Sequence, residues 1–281
     1  MKEENMKYGN MNYILLIFFA IIGIFYYNTL GWLVDSWLHN EYYSHGLLVP
    51  VISAYILWNM RGDLASMEKK QSQNGLYIFM GGILIQVISA IWTIRFLSGL
   101  SLLITIAGVI IYLYGWDFMK NIWFPFLFLI LMVPVPFVDM IAAPAQTISV
   151  IATSSIANLI GIQTIRDGLI LKTSAGLFEV AIECSGINSL ISLFTIGIIF
   201  AFMLEGSNLM KATIVLSSIP LAMAGNIMRI TSVLAVAGKY GQEAAMNYFH
   251  DLSSLLLFSV ALIGLFIVGR CFGRLRFKKI F

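Results

Sequence analysis

The sequence predicts an all-α integral membrane protein with about eight transmembrane helices and one short extracytoplasmic β-hairpin before the helix that follows Cys184. Three observations carry this reading. Of 281 residues, 59% are hydrophobic and only 11% charged, against about 25% charged in soluble domains. Apolar runs of membrane-spanning length recur along nearly the whole chain. Between the fifth and sixth runs the pattern breaks into a two-residue alternation of apolar and polar side chains. No soluble domain of useful size is left over, so residues 1–281 are expected to form a single polytopic membrane domain.

The expected spans are 13–34, 46–60, 75–94, 97–115, 121–137, 185–204, 212–230 and 252–269, of which the second and fifth are short. The first follows Lys2 and Lys7, as a signal peptide would. Its length, its Tyr26, Tyr27 and Trp32, and the lack of a small-residue cleavage site argue instead for a retained anchor. Orientation comes from the basic residues of the loops. With both termini cytoplasmic, the inner side holds Lys2, Lys7, Arg61, Lys69, Lys70, Lys120, Lys211, Arg270, Arg274, Arg276, Lys278 and Lys279, twelve of the 17 basic residues. Arg95, Arg166, Lys172, Arg229 and Lys239 remain for the outer side or outer half. The chain is thus expected in the cytoplasmic membrane as a multi-pass protein. Its net charge of +3 reflects topology; the tail, 270–281, reads as a basic cytoplasmic stop-transfer flank in contact with lipid and not as a nucleic-acid patch.

Residues 138–183 form the one long loop, on the extracytoplasmic side in this topology. Its first part, 140–160, mixes Ala, Ser, Thr, Gln146 and Asn158 with spaced Ile and Leu. That composition suits a helix lying at the membrane interface, with a re-entrant or partial ninth span as the alternative. Its second part holds two strand-like runs, 168–173 and 177–183, joined by Ser174, Ala175 and Gly176. Phe178, Val180 and Ile182 alternate with Glu179, Ala181 and Glu183, so a hairpin with one apolar face delivers the chain to Cys184.

Cys184 therefore stands where a strand ends and a membrane helix begins. A helix amino terminus carries unpaired N–H groups and positive potential, a setting that favours a nucleophilic thiolate; Glu183 opposes it, and a cationic partner would help. The alternative is a small cysteine that merely packs. Arg229 supplies the cation. In span seven Ser218, Ala222, Gly225, Asn226 and Arg229 recur at three- and four-residue spacing and form one stripe, small enough for close helix contact and with its charge expected toward the bundle interior, snorkelling of Arg229 to lipid head groups being the alternative. His250 opens span eight at the same face, where an imidazole can take a thiol proton and return one to a leaving amine. Asp251 can orient it or cap the helix. On span six Ser185, Asn188, Ser189, Ser192 and Thr195 make a polar stripe that suits helix contacts and substrate positioning equally. His45, with Tyr42, Tyr43, Ser44 and Gly46, stands at the outer end of span two. His39, His45 and His250 have no compact metal-ligand spacing, so no metal and no cofactor is expected.

At these residues the chain resembles the exosortase/archaeosortase family of membrane-embedded cysteine transpeptidases. The resemblance rests on Glu183-Cys184-Ser185-Gly186-Ile187-Asn188-Ser189, on Gly225-Asn226-Ile227-Met228-Arg229-Ile230, and on His250-Asp251. Tyr43-Ser44-His45-Gly46-Leu47-Leu48-Val49-Pro50 and Val133-Pro134-Val135-Pro136 add to it. What the resemblance implies is a processing enzyme for exported proteins that carry a carboxy-terminal motif, a transmembrane helix and a basic cluster. In that scheme Cys184 is the nucleophile that forms a thioester, His250 the proton shuttle, and Arg229 the stabiliser of thiolate or oxyanion. An amine on a lipid or envelope component then resolves the thioester. Some archaeal relatives carry arginine at the last position, so His250 points to the bacterial branch. A small transporter, suggested by Arg229 with Pro134, Pro136 and Pro220, and an assembly scaffold with an inert cysteine are the other classes these residues allow.

Overall fold

The computed structural model describes residues 2–271; the side chains of residues 1–15, Glu183, Tyr248, His250 and Asp251 lie outside the described residues, as does the basic tail beyond Cys271. The chain divides into two compact units between Val135 and Pro136.

The first unit contains α1 (Lys2–His39), a 3-10 turn (Glu41–Leu47), α2 (Leu48–Asn59), α3 (Arg61–Ser66), α4 (Gln73–Ile91), α5 (Arg95–Tyr114), α6 (Trp116–Asn121), α7 (Trp123–Phe128) and a second 3-10 turn (Leu129–Met132). Its centre is the α4–α5 hairpin. A Cβ at Gly75 would meet the Tyr112 backbone, and one at Gly108 the Phe79 backbone, so the two helices approach more closely than side chains would allow. A hydrogen-bonded polar cluster joins α1 to this pair. Tyr26 Oη lies 2.6 Å from Thr105 Oγ1, Gln86 Nε2 donates to the Phe25 carbonyl at 2.9 Å, and Ser98 Oγ donates to Gln86 Oε1 at 2.6 Å. In a membrane interior such groups hold helices together because lipid offers them no partner. The Tyr43 hydroxyl donates to the Val135 carbonyl at 2.8 Å and accepts from the Val135 N–H at 2.9 Å. Tyr43, in the first 3-10 turn, is therefore tied to Val135 at the end of this unit.

The second unit contains α8 (Val138–Leu159), β1 (Thr164–Asp167), β2 (Ile170–Thr173), β3 (Gly176–Glu179), a 3-10 turn (Ile182–Ser185), α9 (Ile187–Met203), α10 (Asn208–Tyr240), α11 (Gln242–Ala244), a π-helical stretch (Ala245–Phe249) and α12 (His250–Cys271). The centre here is α10. Gly197 of α9 faces Val215, while Gly225 faces Leu257 and Ala261 and Gly264 faces Leu221 of the α10–α12 pair, so both neighbours run antiparallel to α10. The strands form one antiparallel meander in the order β1-β2-β3, with Leu171 opposite Phe178. Its apolar side chains Leu171, Phe178 and Val180 close a core with Val150 and Ala157 of α8 and Ile230, Val233, Leu234 and Ala237 of α10. Leucines and isoleucines such as Leu252, Leu255, Leu256 and Ile263 stay exposed on α12, as surfaces that face acyl chains do.

Several expectations change. Six helices among the described residues are long and apolar enough to cross a membrane; α7 with its following turn (Trp123–Met132) and α9 are shorter, and the expected second span is a helix of 12 residues. The segment read as an interfacial helix is α8, one of those six by length and composition. Its Ser, Thr and Gln residues turn inward, with Gln146, Ser149 and Thr153 buried, so its polarity serves helix contacts. The expected hairpin is present as β2 and β3, shorter than its two runs, and β1 makes it a three-stranded sheet. Residues 182–185 form a 3-10 turn and not the end of a strand. Span seven continues past Ile230 to Tyr240, so Arg229 precedes the end of its helix by three turns.

Candidate active site

The site is built where the sheet hands the chain to α9. Cys184 lies in the 3-10 turn and donates its N–H to the Ala181 carbonyl at 2.9 Å. Gly186 follows at φ +87°, in the left-handed region, and serves as the N-cap position of α9. A Cβ there would lie 2.8 Å from Asn226 Cβ and 2.9 Å from its Cγ. Backbone and packing thus both demand glycine at 186. The thiol stands two residues before the cap, outside the first turn where the helix field acts. It is half-buried.

Beneath the turn is a buried polar cluster. Asn226 Nδ2 donates to the Cys184 carbonyl at 2.9 Å and to Ser149 Oγ at 3.1 Å. Ser149 Oγ reaches the Ser185 carbonyl at 3.5 Å, and Ser185 Oγ accepts the Ile187 N–H at 3.4 Å. Gln146 Nε2 donates to the Val180 carbonyl at 2.5 Å. Ser149 and Ser185 are inaccessible, and Asn226 and Gln146 nearly so. Three elements, α8, α10 and the cysteine turn, are held in one network whose members satisfy one another, an arrangement that fixes geometry.

Arg229 stands one turn beyond Asn226 on α10 and is half-buried. Its Nη1 donates to Ser254 Oγ at 3.0 Å. Its Nη2 is buried with no hydrogen-bond partner among the described residues. A buried guanidinium N–H left in that state calls for an acceptor. Arg229 and Cys184 line the same cavity, of about 270 Å³, with Leu177, Phe178, Glu179, Val180, Ile230, Val233, Leu234, Gln242 and Met246 as its other walls. Cys184 and Arg229 therefore wall one mostly apolar, half-open pocket, where charge interactions are stronger than in bulk water.

His250 opens α12 directly after the π-helical stretch, one helical turn before Ser254, the acceptor of the Arg229 bond. Its backbone position brings α12 to the cavity end of the bundle; the His250 and Asp251 side chains lie outside the described residues. Asn188 is half-buried in the first turn of α9. His45 belongs to the first unit, where it is buried. Burial lowers its pKa below the ordinary imidazole value, partly offset by the nearby Leu131 and Tyr42 backbone. No group of three or more His, Cys, Asp or Glu side chains suited to a metal is present among the described residues. A larger cavity, about 560 Å³, lies in the first unit between α1, α4 and α5, lined in part by Asp35, Gln86 and Arg95. Size does not make it the reactive site, since it carries neither thiol nor imidazole.

Sequence reading missed Ser149, Ser254 and Gln242. Ser149 was legible in part: Gln146, Ser149 and Thr153 recur at helical spacing, which marks a polar face on a buried helix. Ser254 and Gln242 carry no such signal, because each is defined by what it touches across the bundle.

A helical membrane protein with a cysteine and an arginine walling one cavity is the class that fold and site define. The family model for transmembrane exosortases, Exosortase_EpsH, matches residues 37–267, and the chain belongs to that family. No curated protein and no solved structure matches it.

Proposed function

We propose that this exosortase is a cysteine transpeptidase or protease that trims exported proteins at their carboxy-terminal sorting signal. The observation that supports this most is the shared cavity of Cys184 and Arg229, with one guanidinium nitrogen left for an incoming acceptor. Cys184 Sγ, as thiolate, attacks the scissile carbonyl carbon; a C–S bond forms and the carbonyl oxygen becomes an oxyanion, to which Arg229 Nη2 donates. Collapse breaks the C–N bond, and the leaving amine takes the proton that His250 removed from the thiol. The substrate's transmembrane helix and basic cluster depart, leaving a thioester on Cys184. A lipid or envelope amine, or water, then attacks the thioester carbon and the thiol leaves.

Asn226 does no chemistry in this scheme. It is a positioning residue that holds the Cys184 carbonyl and, through Gly186, the entry to α9. Ser185 and Asn188 support the same turn. The active side is extracytoplasmic and the membrane is the cytoplasmic one. Lys211 near the start of α10 and Arg270 near the end of α12 lie at the bundle end opposite the cavity, which agrees with a positive inner side.

The test is mass spectrometry of exported proteins from cells carrying the wild type or Cys184→Ala. A new carboxy terminus, with or without an attached amine, is expected only in the wild type. Equal trimming in both strains would remove the proposal.

A further inference from the structure

The cavity beside Cys184 reaches the edge of the sheet as well as its apolar face. Four consecutive residues, Leu177, Phe178, Glu179 and Val180, line it. A cavity on a face alone would meet only every second residue of a strand. β3 is paired on one side alone, with β2.

The ladder fixes which backbone groups look into the open side. Glu179 stands opposite Ile170 and Phe178 opposite Leu171, and just beyond them the Val180 N–H donates to the Leu169 carbonyl at 3.1 Å. Bonded and non-bonded pairs alternate in an antiparallel ladder. Phe178 therefore bonds toward β2, while the N–H and C=O groups of Leu177 and Glu179 point to the free edge. One of these is already met, and by a side-chain amide. Gln242 Nε2 donates to the Leu177 carbonyl at 3.3 Å while its Oε1 rests against Gly176. A primary carboxamide in that position imitates the peptide group of a neighbouring strand.

We propose that an extended peptide adds to β3 as a fourth strand, displacing Gln242 and pairing with Leu177 and Glu179. This rests on the protease reading of the cavity, and the occupant is the substrate segment that holds the scissile bond. Paired donors and acceptors repeating every second residue, about 7 Å apart, match an extended backbone. The pocket of about 270 Å³ admits a short peptide stretch against Ile230, Val233 and Leu234 and excludes folded structure. Main-chain pairing supplies affinity, the apolar floor selects side chains, and the strand's course along β3 carries the carbonyl to Cys184.

The probe is biotinyl-Ala-Val-Ala-Val-Ala chloromethyl ketone, applied to membranes containing the full chain, with alkylation of Cys184 followed by mass spectrometry. Two analogues are N-methylated at alternate residues of opposite parity. The thiolate displaces chloride, so labelling reports peptide placement without turnover. One parity should slow labelling about tenfold, the effect of a lost hydrogen bond, and the other should leave it near the parent rate. Glu179→Pro deletes an outward N–H and no ladder bond. Both Glu179→Pro and Glu179→Ala remove the carboxylate from the cavity, so each peptide-probe rate is divided by the same protein's iodoacetamide rate, and that ratio should fall about tenfold further in the Pro variant than in the Ala variant. If Glu179→Pro abolishes iodoacetamide labelling, the parity comparison on the wild type decides. Equal effects of both parities, or equal ratios in the Pro and Ala variants, would overturn strand addition. Cys184-dependent trimming in cells would survive that result, so failure here and failure of the protease reading are told apart.

Discussion

The Asn226 carboxamide donates one N–H to the Cys184 carbonyl at 2.9 Å and the other to Ser149 Oγ at 3.1 Å. A single side chain on α10 thereby ties the cysteine turn to α8. The thiol's position is set by a residue that does not touch the cavity, since Asn226 is not among its walls.

Asn226→Ala should remove one hydrogen bond from the Cys184 carbonyl, at a cost of about 0.5–1.5 kcal/mol. Substrate trimming should fall at least tenfold with the protein still in the membrane. Asn226→Asp, which sets a carboxylate against that carbonyl, should do no better. Trimming rates in membranes with equal protein levels check both.

Gly186→Ala places a Cβ both in left-handed backbone and against Asn226. Trimming should be nearly lost. Adding Asn226→Gly relieves the collision but not the backbone strain, so the double variant should lose less than the two single effects combined. Strict additivity would show that the two residues do not couple.

Arg229→Lys keeps the charge but loses the fork that meets Ser254 Oγ with one nitrogen and leaves another for substrate. We expect a loss of about 10²-fold or more in trimming. Near-normal activity would reduce Arg229 to a general positive charge. His250→Gln should slow single-turnover trimming by about 10²-fold or more, and His250→Arg should retain part of the activity.

His45 gives a pH dependence with a definite sign. Its folded-state pKa is lowered by burial, while the unfolded chain titrates near the ordinary ~6.5. The unfolded state thus binds the proton first. Stability should be full above about pH 6.5, fall as the pH drops below it, and level off below the folded pKa. Thermal unfolding in detergent between pH 8 and 5 should show this decline, and His45→Gln should flatten it.

The cysteines report topology. Cys184 sits at the cavity end of the second unit and Cys271 closes α12, whose start lies at that same end. In intact cells an impermeant thiol reagent should label Cys184 and spare Cys271 until the membrane is opened. The reverse order would invert the orientation.

The interior stripe of α10 was legible from spacing: Ser218, Ala222 and Asn226 are buried as the pattern required. Phe178 and Val180 were legible too, from alternation alone. The last turns of α10 were not. The expected span stops at Ile230, yet Val233, Leu234 and Ala237 pack against the sheet and keep the helix going. β1 was hidden because three of its four side chains are exposed and no alternation marks it; pairing with β2 creates it. The inward turn of the polar face of α8 likewise depends on neighbours, and composition alone favoured the membrane surface.

At 33 residues α10 is about 50 Å long, against a hydrocarbon layer of about 30 Å. It outgrows the layer it crosses. From Asn208 to Arg229 the axis rises about 32 Å, one hydrocarbon thickness. The helix acts as a ruler: with its first turn set at one boundary, the guanidinium marks the other, and the turns beyond it serve as a mast for the sheet. On the protease reading proposed above, the height of the cavity over the lipid is then a matter of residue count, and a thicker or thinner bilayer would sink or lift it relative to a tethered substrate.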